Sequence, residues 1–413
     1  MRLLFITLEF SAGTFSGNGI YARSQVRALA SLGHDIFVIS GKPADHNGAT
    51  DKEGAAELFE IELPTWGSLD RSSAWEAFAA GLPVPPYIFM NYRVYHRSAS
   101  EEDMDFIAAM EAKAVEHSIL TTALSRSDAD YIRKHLLLSS SKGQSTPVEV
   151  LLPALRSDME SLPLPPDTMR RLQDSAGSIN DSACEIGFAE PSCSSAPCSA
   201  ADGAPSAGIR EQPCRERYLT CCVRLSPEKE PERFVALVEQ LAKTGALQRL
   251  GIVPLLCGSA KGEYADALKV RLRAAAPEAV IEERFLGPAD LARIFSSTAL
   301  NFHPPLYDAY GMTVVEAASQ GAPSLVNAGG HVGAADLLAA ESGEIFEADY
   351  SLPEPDLATS VESLLEDSLG LLASVGAAAA SRARSWTETA NAKKLVQLVE
   401  DTLERNRASH AAC

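Results

Sequence analysis

The chain has 413 residues and a mass of 44.0 kDa, room for two domains of ordinary size. Lys and Arg number 36 against 55 Asp and Glu, a net charge of −19, which argues against nucleic acid or an anionic membrane surface as the main partner. No uninterrupted apolar run of about 18 residues is present, and the apolar start Met1 to Phe10 meets Glu9 too early for a secretory leader, so a cytoplasmic location without an integral membrane segment is the expectation.

The elements follow in chain order. Arg2 to Thr7 reads as a strand, Ile20 to Leu32 as a helix closed by Gly33, and Asp35 to Ser40 as the next strand. That β-α-β unit implies a parallel sheet. Further strands are predicted at Tyr87 to Asn91, Ile119 to Ala123 and Val148 to Leu152, completing a first domain over 1–162. Residues 163–216 turn to Ser, Ala, Pro, Gly and Cys without a period and read as a disordered linker or insert.

From Arg217 the β/α alternation resumes. Strands are predicted at Arg217 to Val223, Gly251 to Cys257, Val280 to Leu286, Ala299 to His303 and Pro323 to Asn327. Helices are predicted at Pro231 to Leu241, Tyr264 to Ala275, Ala289 to Ser297, Thr313 to Gln320 and Asp356 to Ala373. This makes a second doubly wound domain over 217–385, followed by 386–413 with an amphipathic helix from Asn391 to Arg405. Two such domains place ligands at the carboxyl ends of their strands. The eight cysteines include no CxxC pair, and Cys221, Cys222 and Cys257 read as buried thiols. No metal site and no cofactor are expected.

The densest chemistry lies in Asn301 to Val326. A strand ends at His303, Pro304-Pro305 forces a loop carrying Asp308, Gly311 permits a tight turn, and a helix starts near Met312 with Glu316 one turn inside. A helix N-terminus offers N–H groups and a positive dipole end to a diphosphate or to sugar oxygens, and the two carboxylates can accept from hydroxyls. Read alone, an acid-x7-acid spacing fits loop and capping residues equally well. Arg224 and Lys229 flank a turn at another strand end, where Arg binds a diphosphate bidentately and Lys as a point charge. Gly17-Asn18-Gly19-Ile20-Tyr21-Ala22 fits a dinucleotide fingerprint poorly, because the strand ends at Thr7 and no acid closes the second strand.

Together these segments resemble the retaining glycosyltransferases of the family-4 type, the group 1 glycosyl transferases, which share the GT-B fold. The resemblance rests on Pro304 to Gly311 with Glu316-Ala317 and Gly321-Ala322-Pro323, and on Val223 to Lys229. Glu283 to Gly287, Asn327 to Gly333, Ser16 to Gly19, Gly33-His34 and Ser125 add to it. Asp308 stands where the family usually has Glu, and Tyr310 where it has Phe. The resemblance implies two Rossmann-like α/β domains with parallel sheets facing across a cleft, the first shortened near 64–86 relative to the family and on the acceptor side, and a final helix crossing back to the first domain. It implies metal-independent, retaining transfer of a sugar from a nucleotide-diphospho-sugar donor to a hydroxyl acceptor of unknown identity. By the same resemblance Arg224 and Lys229 neutralise the departing diphosphate, Asp308 contacts the donor sugar and Glu316 binds the ribose hydroxyls. Leu286, Tyr310, Gly311, Met312 and Thr313 line the donor site, and Gly17 and Gly19 are candidate loop contacts. Two alternatives stay open: a nucleotide-sugar-binding protein of the same fold without transfer, and a GT-B nucleotide-sugar epimerase.

Overall fold

The computed structural model describes residues 1–7, 10, 17–43, 57–63, 86–92, 94, 109, 111–137, 146–172, 217–258, 262–284, 286–366 and 370–412. The second half is the more regular. Its strands are β7 (Arg217–Cys222), β8 (Ile252–Cys257), β9 (Val280–Glu282), β10 (Thr298–Phe302), β11 (Ser324–Asn327) and β12 (Phe346–Ala348). They form one six-stranded sheet in the order β12-β11-β10-β7-β8-β9, with every ladder parallel. The order reverses at β7 and β10. That topological switch point is where a doubly wound sheet opens a crevice beyond its strand ends.

Alternation along the strands feeds two cores, one on each face. Leu219, Cys221, Leu256, Leu300 and Phe302 pack with Phe234 and Val235 of α4 (Glu232–Lys243) and with Leu357 and Val361 of α9 (Glu354–Glu366). Phe302 lies 5.1 Å from the Tyr350 ring in a stacked arrangement and 6.3 Å from Phe234. On the other face Leu255, Cys257 and Val326 pack with Leu291 and Phe295 of α7 (Pro288–Phe295), Val314 and Val315 of α8 (Met312–Ser319), and Ala379 and Ala383 of α10 (Leu371–Ser385). The sheet is completed by α5 (Ala246–Leu250) and α6 (Glu263–Ala275).

The first half carries β1 (Arg2–Thr7), α1 (Gly17–Ser31), β2 (Asp35–Pro43), β3 (Glu57–Leu63), β4 (Ile88–Asn91), β5 (Leu120–Ala123), α2 (Arg126–Tyr131), β6 (Val148–Val150) and α3 (Ser157–Glu160). Its strands form two parallel three-stranded pieces, β1-β2-β3 and β4-β5-β6. Among the described residues no ladder joins β1 to β4. Leu4 and Ile6 of β1 are 59% and 71% exposed.

The final helix α11 (Glu388–Ala412) packs against the first domain. Ala392, Leu395 and Val399 share a core with Phe10, Ala22, Val26 and Leu29. Polar ties reinforce this return. Trp386 Nε1 donates to the Leu152 carbonyl at 2.9 Å, and Arg27 Nη2 reaches Glu388 Oε1 at 2.7 Å. Arg384 donates to the carbonyls of Ser319, Glu160 and Leu162, each at 2.9 Å. Among the described residues no single helix is long and apolar enough to cross a membrane.

Three expectations need correction. The linker starts later than residue 163: residues 166–172 are helical, and Thr168 lies against Gly321. The remainder of that stretch, and the shortened segment at 64–85, lie outside the described residues. The single helix over Asp356 to Ala373 is two, α9 and α10, because Gly370 adopts a left-handed backbone at φ 70° that breaks the run. The strand from Val280 ends at Glu282 instead of Leu286. The strands β3 and β12 and the short helix α5 are additional elements.

Candidate active site

The site grows from the two strand ends at the switch point. After β7 the chain turns through Val223 to Ser226 into a short 3-10 turn, Pro227–Lys229. After β10 it runs from His303 through the proline pair to Asp308. Lys229 Nζ and Asp308 Oδ2 meet at 2.7 Å, although 79 residues separate them. His303 Nε2 lies 3.1 Å from the same carboxylate oxygen; facing an ionised carboxylate, that nitrogen carries the proton and donates. Burial pushes the Asp308 carboxyl up, but Lys229 and His303 outweigh it and hold the group well below the usual carboxylate range. Asp308 is therefore a fixed anion with a fixed cation beside it.

Backbone contacts set this loop. Asp308 N donates to the His331 carbonyl and Gly333 N donates to the Asp308 carbonyl, both at 3.0 Å. A Cβ on Gly333 would fall on the Ala309 carbonyl oxygen, so glycine is what lets the two loops close. Gly311 takes φ 85° at the N-cap of α8, with His303 and Val332 packed against it. Glu230, itself left-handed at φ 47°, accepts from Leu306 N at 2.6 Å and from Arg233, and so ties the Lys229 turn to the Asp308 loop. The N-terminus of α8 has no side-chain cap and no acidic residue in its first turn. Its dipole end faces the space in front, beside the Asp308 carboxylate.

That space is a cavity between the two domains. The second domain lines it with Cys222, Val223, Arg224, Glu228, Lys229, His303 and residues 307–313. The first lines it with Tyr21, Tyr92, Leu124 and Pro153. Tyr21 and Tyr92 pack edge to face with centroids 5.3 Å apart. Among the described residues the buried Tyr92 hydroxyl has no hydrogen-bond partner. Tyr310 donates to the Pro153 carbonyl at 2.7 Å and Tyr307 to Asp128 Oδ1 at 3.0 Å, so the Asp308 loop is also the bridge to the first domain. Ser125, from the expected turn, caps α2 by accepting from Asp128 N.

Of the expected residues, Arg224, Lys229, Asp308, Tyr310, Gly311, Met312 and Thr313 line one cavity. Arg224 is half-exposed and sits 3.4 Å from Glu228. Glu316 is buried one turn behind Thr313, off the cavity wall, with Arg156 Nη1 at 3.4 Å. Burial raises its carboxyl above the usual range, and Arg156 pulls against that shift. Leu286 is buried in the apolar cluster behind the cavity. Gly17 and Gly19 open α1, whose Tyr21 reaches the wall. His303, Glu230, Tyr21, Tyr92 and Arg156 were not anticipated as site residues. Only His303 carried a local signal, its place at the end of a buried strand just before the loop. Among the described residues no three His, Cys, Asp or Glu side chains converge on a common point.

The architecture is the GT-B fold, two Rossmann-like domains with parallel sheets. Residues 209–382 match the family model described as glycosyl transferases group 1, a span that holds Arg224, Lys229, Asp308 and Glu316. The fold as a whole is similar to sucrose-phosphate synthase from Thermosynechococcus elongatus, with a TM-score of 0.65 at 15% identity over 98% of this chain and 99% of that one. It is similar to HepE of Anabaena, solved with UDP and glucose, with a TM-score of 0.62 at 14% identity over 97% and 100% of the two chains. WaaG, a glycosyltransferase of lipopolysaccharide biosynthesis, gives 0.62 at 15% identity over 96% and 99%. No curated protein sequence matches the chain significantly.

Proposed function

We propose that the protein transfers a sugar from a nucleotide-diphospho-sugar to a hydroxyl acceptor with retention of configuration and without a metal ion. One observation carries this reading: the Lys229–Asp308 pair stands at the open N-terminus of α8, at the switch point, facing first-domain side chains across a cavity. Lys229, Arg224 and the helix dipole would bind the diphosphate and stabilise it as it departs, an electrostatic contribution made without reorganisation. Asp308, held ionised, would accept from a hydroxyl of the donor sugar. Glu316 would accept from the ribose hydroxyls one turn deeper. The acceptor oxygen would approach from the side of Tyr21 and Tyr92, where the buried Tyr92 hydroxyl has no partner among the described residues. That the similarly folded HepE was solved with UDP and glucose supports this choice of donor class.

The test is donor turnover in the presence of EDTA, with the anomeric proton of the product followed by NMR. Retained configuration, with turnover lost in Lys229→Ala, is expected. Inversion, or strict dependence on added divalent metal, would overturn the mechanism. A second reading, donor binding without transfer, is favoured by the described strands of the first domain, which fall into two separate triplets. It predicts nucleotide binding with neither transfer nor donor hydrolysis.

A further inference from the structure

Arg156 lies in the crossover between the domains, 160 residues from Glu316 and outside every donor motif. The crossover is fixed in place. Leu155 and Met159 are buried in the cluster that holds Val314 and Val315 of α8. Leu155 N donates to the Trp386 carbonyl at 3.1 Å, and Ser157 N donates to Glu388 Oε1 at 2.9 Å. From this anchored position the Arg156 guanidinium, 16% exposed, points two ways. Nε and Nη2 hold Asp158 at 2.7 and 2.6 Å, and Nη1 reaches Glu316 at 3.4 Å.

The other cations packed around α8 are engaged elsewhere. Arg384 of α10 gives its donors to the carbonyls of Ser319, Glu160 and Leu162, and Arg293 of α7 lies 3.9 Å from Asp290. The Cys222 thiol of β7 is the further titratable group near Glu316. Among the described residues Arg156 is therefore the cation that faces this buried carboxylate. An ionised carboxylate accepts at two oxygens, whereas a protonated one gives up part of that capacity to its own O–H.

We propose that Arg156 is a positioning residue of the nucleotide site: it holds Glu316 as an ionised acceptor for the ribose hydroxyls of a nucleoside diphosphate, with Asp158 competing for the same guanidinium. The inference rests on the ribose-binding role proposed above for Glu316. Burial favours the protonated form of Glu316, Asp158 adds to that preference, and Arg156 opposes both.

The experiment is calorimetric titration of the full chain with UDP, GDP and ADP and with the 2′,3′-dideoxy form of each, from pH 4 to 9. Glu316→Gln should weaken the ribonucleotide about tenfold, the scale of a lost hydrogen bond to a charged group, and leave the dideoxy form unchanged. Arg156→Met should weaken the ribonucleotide to a similar degree near pH 7, with affinity recovering toward pH 9 as Glu316 ionises. Arg156→Lys should restore much of the loss. Asp158 is 45% exposed, so Asp158→Asn leaves the core intact, and it should move the pH profile of ribonucleotide binding to lower pH. Equal loss of ribo- and dideoxynucleotide at every pH in Arg156→Met would overturn the inference, as would an unchanged profile in Asp158→Asn where the methionine variant fails to fold. If Glu316→Gln leaves the ribose preference intact, or no nucleotide binds the wild-type chain, the ribose role of Glu316 fails first and takes this inference with it.

Discussion

The two halves of the chain solve the same architectural problem to different degrees. In the second, six parallel strands share one continuous sheet, β11 is buried throughout, and both faces are covered by helices. In the first, the described strands fall into two triplets, and β1, central in a sheet of this type, exposes Leu4 and Ile6. The residues that can hold a diphosphate lie on the complete sheet. Those that would meet an acceptor are side chains such as Tyr21 and Tyr92, placed by packing against the second domain and the returning helix. A donor site can thus be rigid and built locally, while the opposite wall depends on contacts between the domains.

The contrast can be broken most sharply at the chemistry. Lys229→Ala should lower the rate of sugar transfer by about 10²- to 10³-fold, as removal of one preorganised charge does elsewhere, a loss larger than the fall in unfolding midpoint that comes from leaving Asp308 with His303 as its remaining partner. Equal loss of activity and stability would show that the ion pair serves the fold. Next in size is the core of the second domain. Phe302→Ala, which empties a site between Phe234 and Tyr350, should cost about 3–5 kcal/mol in denaturant unfolding. Leu4→Thr on the exposed face of β1 should stay within about 0.5 kcal/mol; a cost near that of Phe302→Ala would mean that this face is covered in solution.

Arg384→Ala probes the joint between the halves. It strands three carbonyls on two segments and should cost about 1–3 kcal/mol, read as a lower unfolding midpoint. The smallest effects are those of pH. Asp308 has its carboxyl lowered by folding from 3.8, so its contribution is present above that value and is lost as the pH falls below it. Asp308→Asn should flatten the acid limb of the stability curve. Glu316 is shifted the other way, up from 4.5, so its contribution is complete below that value and is lost as the pH rises through the folded-state value. Glu316→Gln should therefore raise the unfolding midpoint at neutral pH even as it weakens nucleotide binding.

Much of the second domain was legible because its signals are local. Apolar runs of strand length alternate with helical periodicity, and Pro304-Pro305, Gly311 and the turn after Val223 mark the strand ends that carry Asp308 and Lys229. The less legible features depend on the fold. Arg156 and Glu316 meet only when the crossover packs against α8. His303 matters because its strand ends beside the Asp308 loop. Glu57 to Leu63 alternates with glutamates and reads weakly as a strand until it pairs with β2. The run through Asp356 to Ala373 looks like one helix because Gly370 interrupts it with backbone conformation and not with a change of pattern.

If the Lys229–Asp308 corner binds a nucleoside diphosphate, thermal unfolding of the wild-type chain and Lys229→Ala with UDP, GDP and ADP, each in EDTA, will report it. A ligand at about 100 times its dissociation constant adds ~2.7 kcal/mol, a shift of a few degrees. The account predicts such a shift with one of the nucleotides for the wild type and its loss in Lys229→Ala. No shift with any of the three, or the same shift in both proteins, would contradict it.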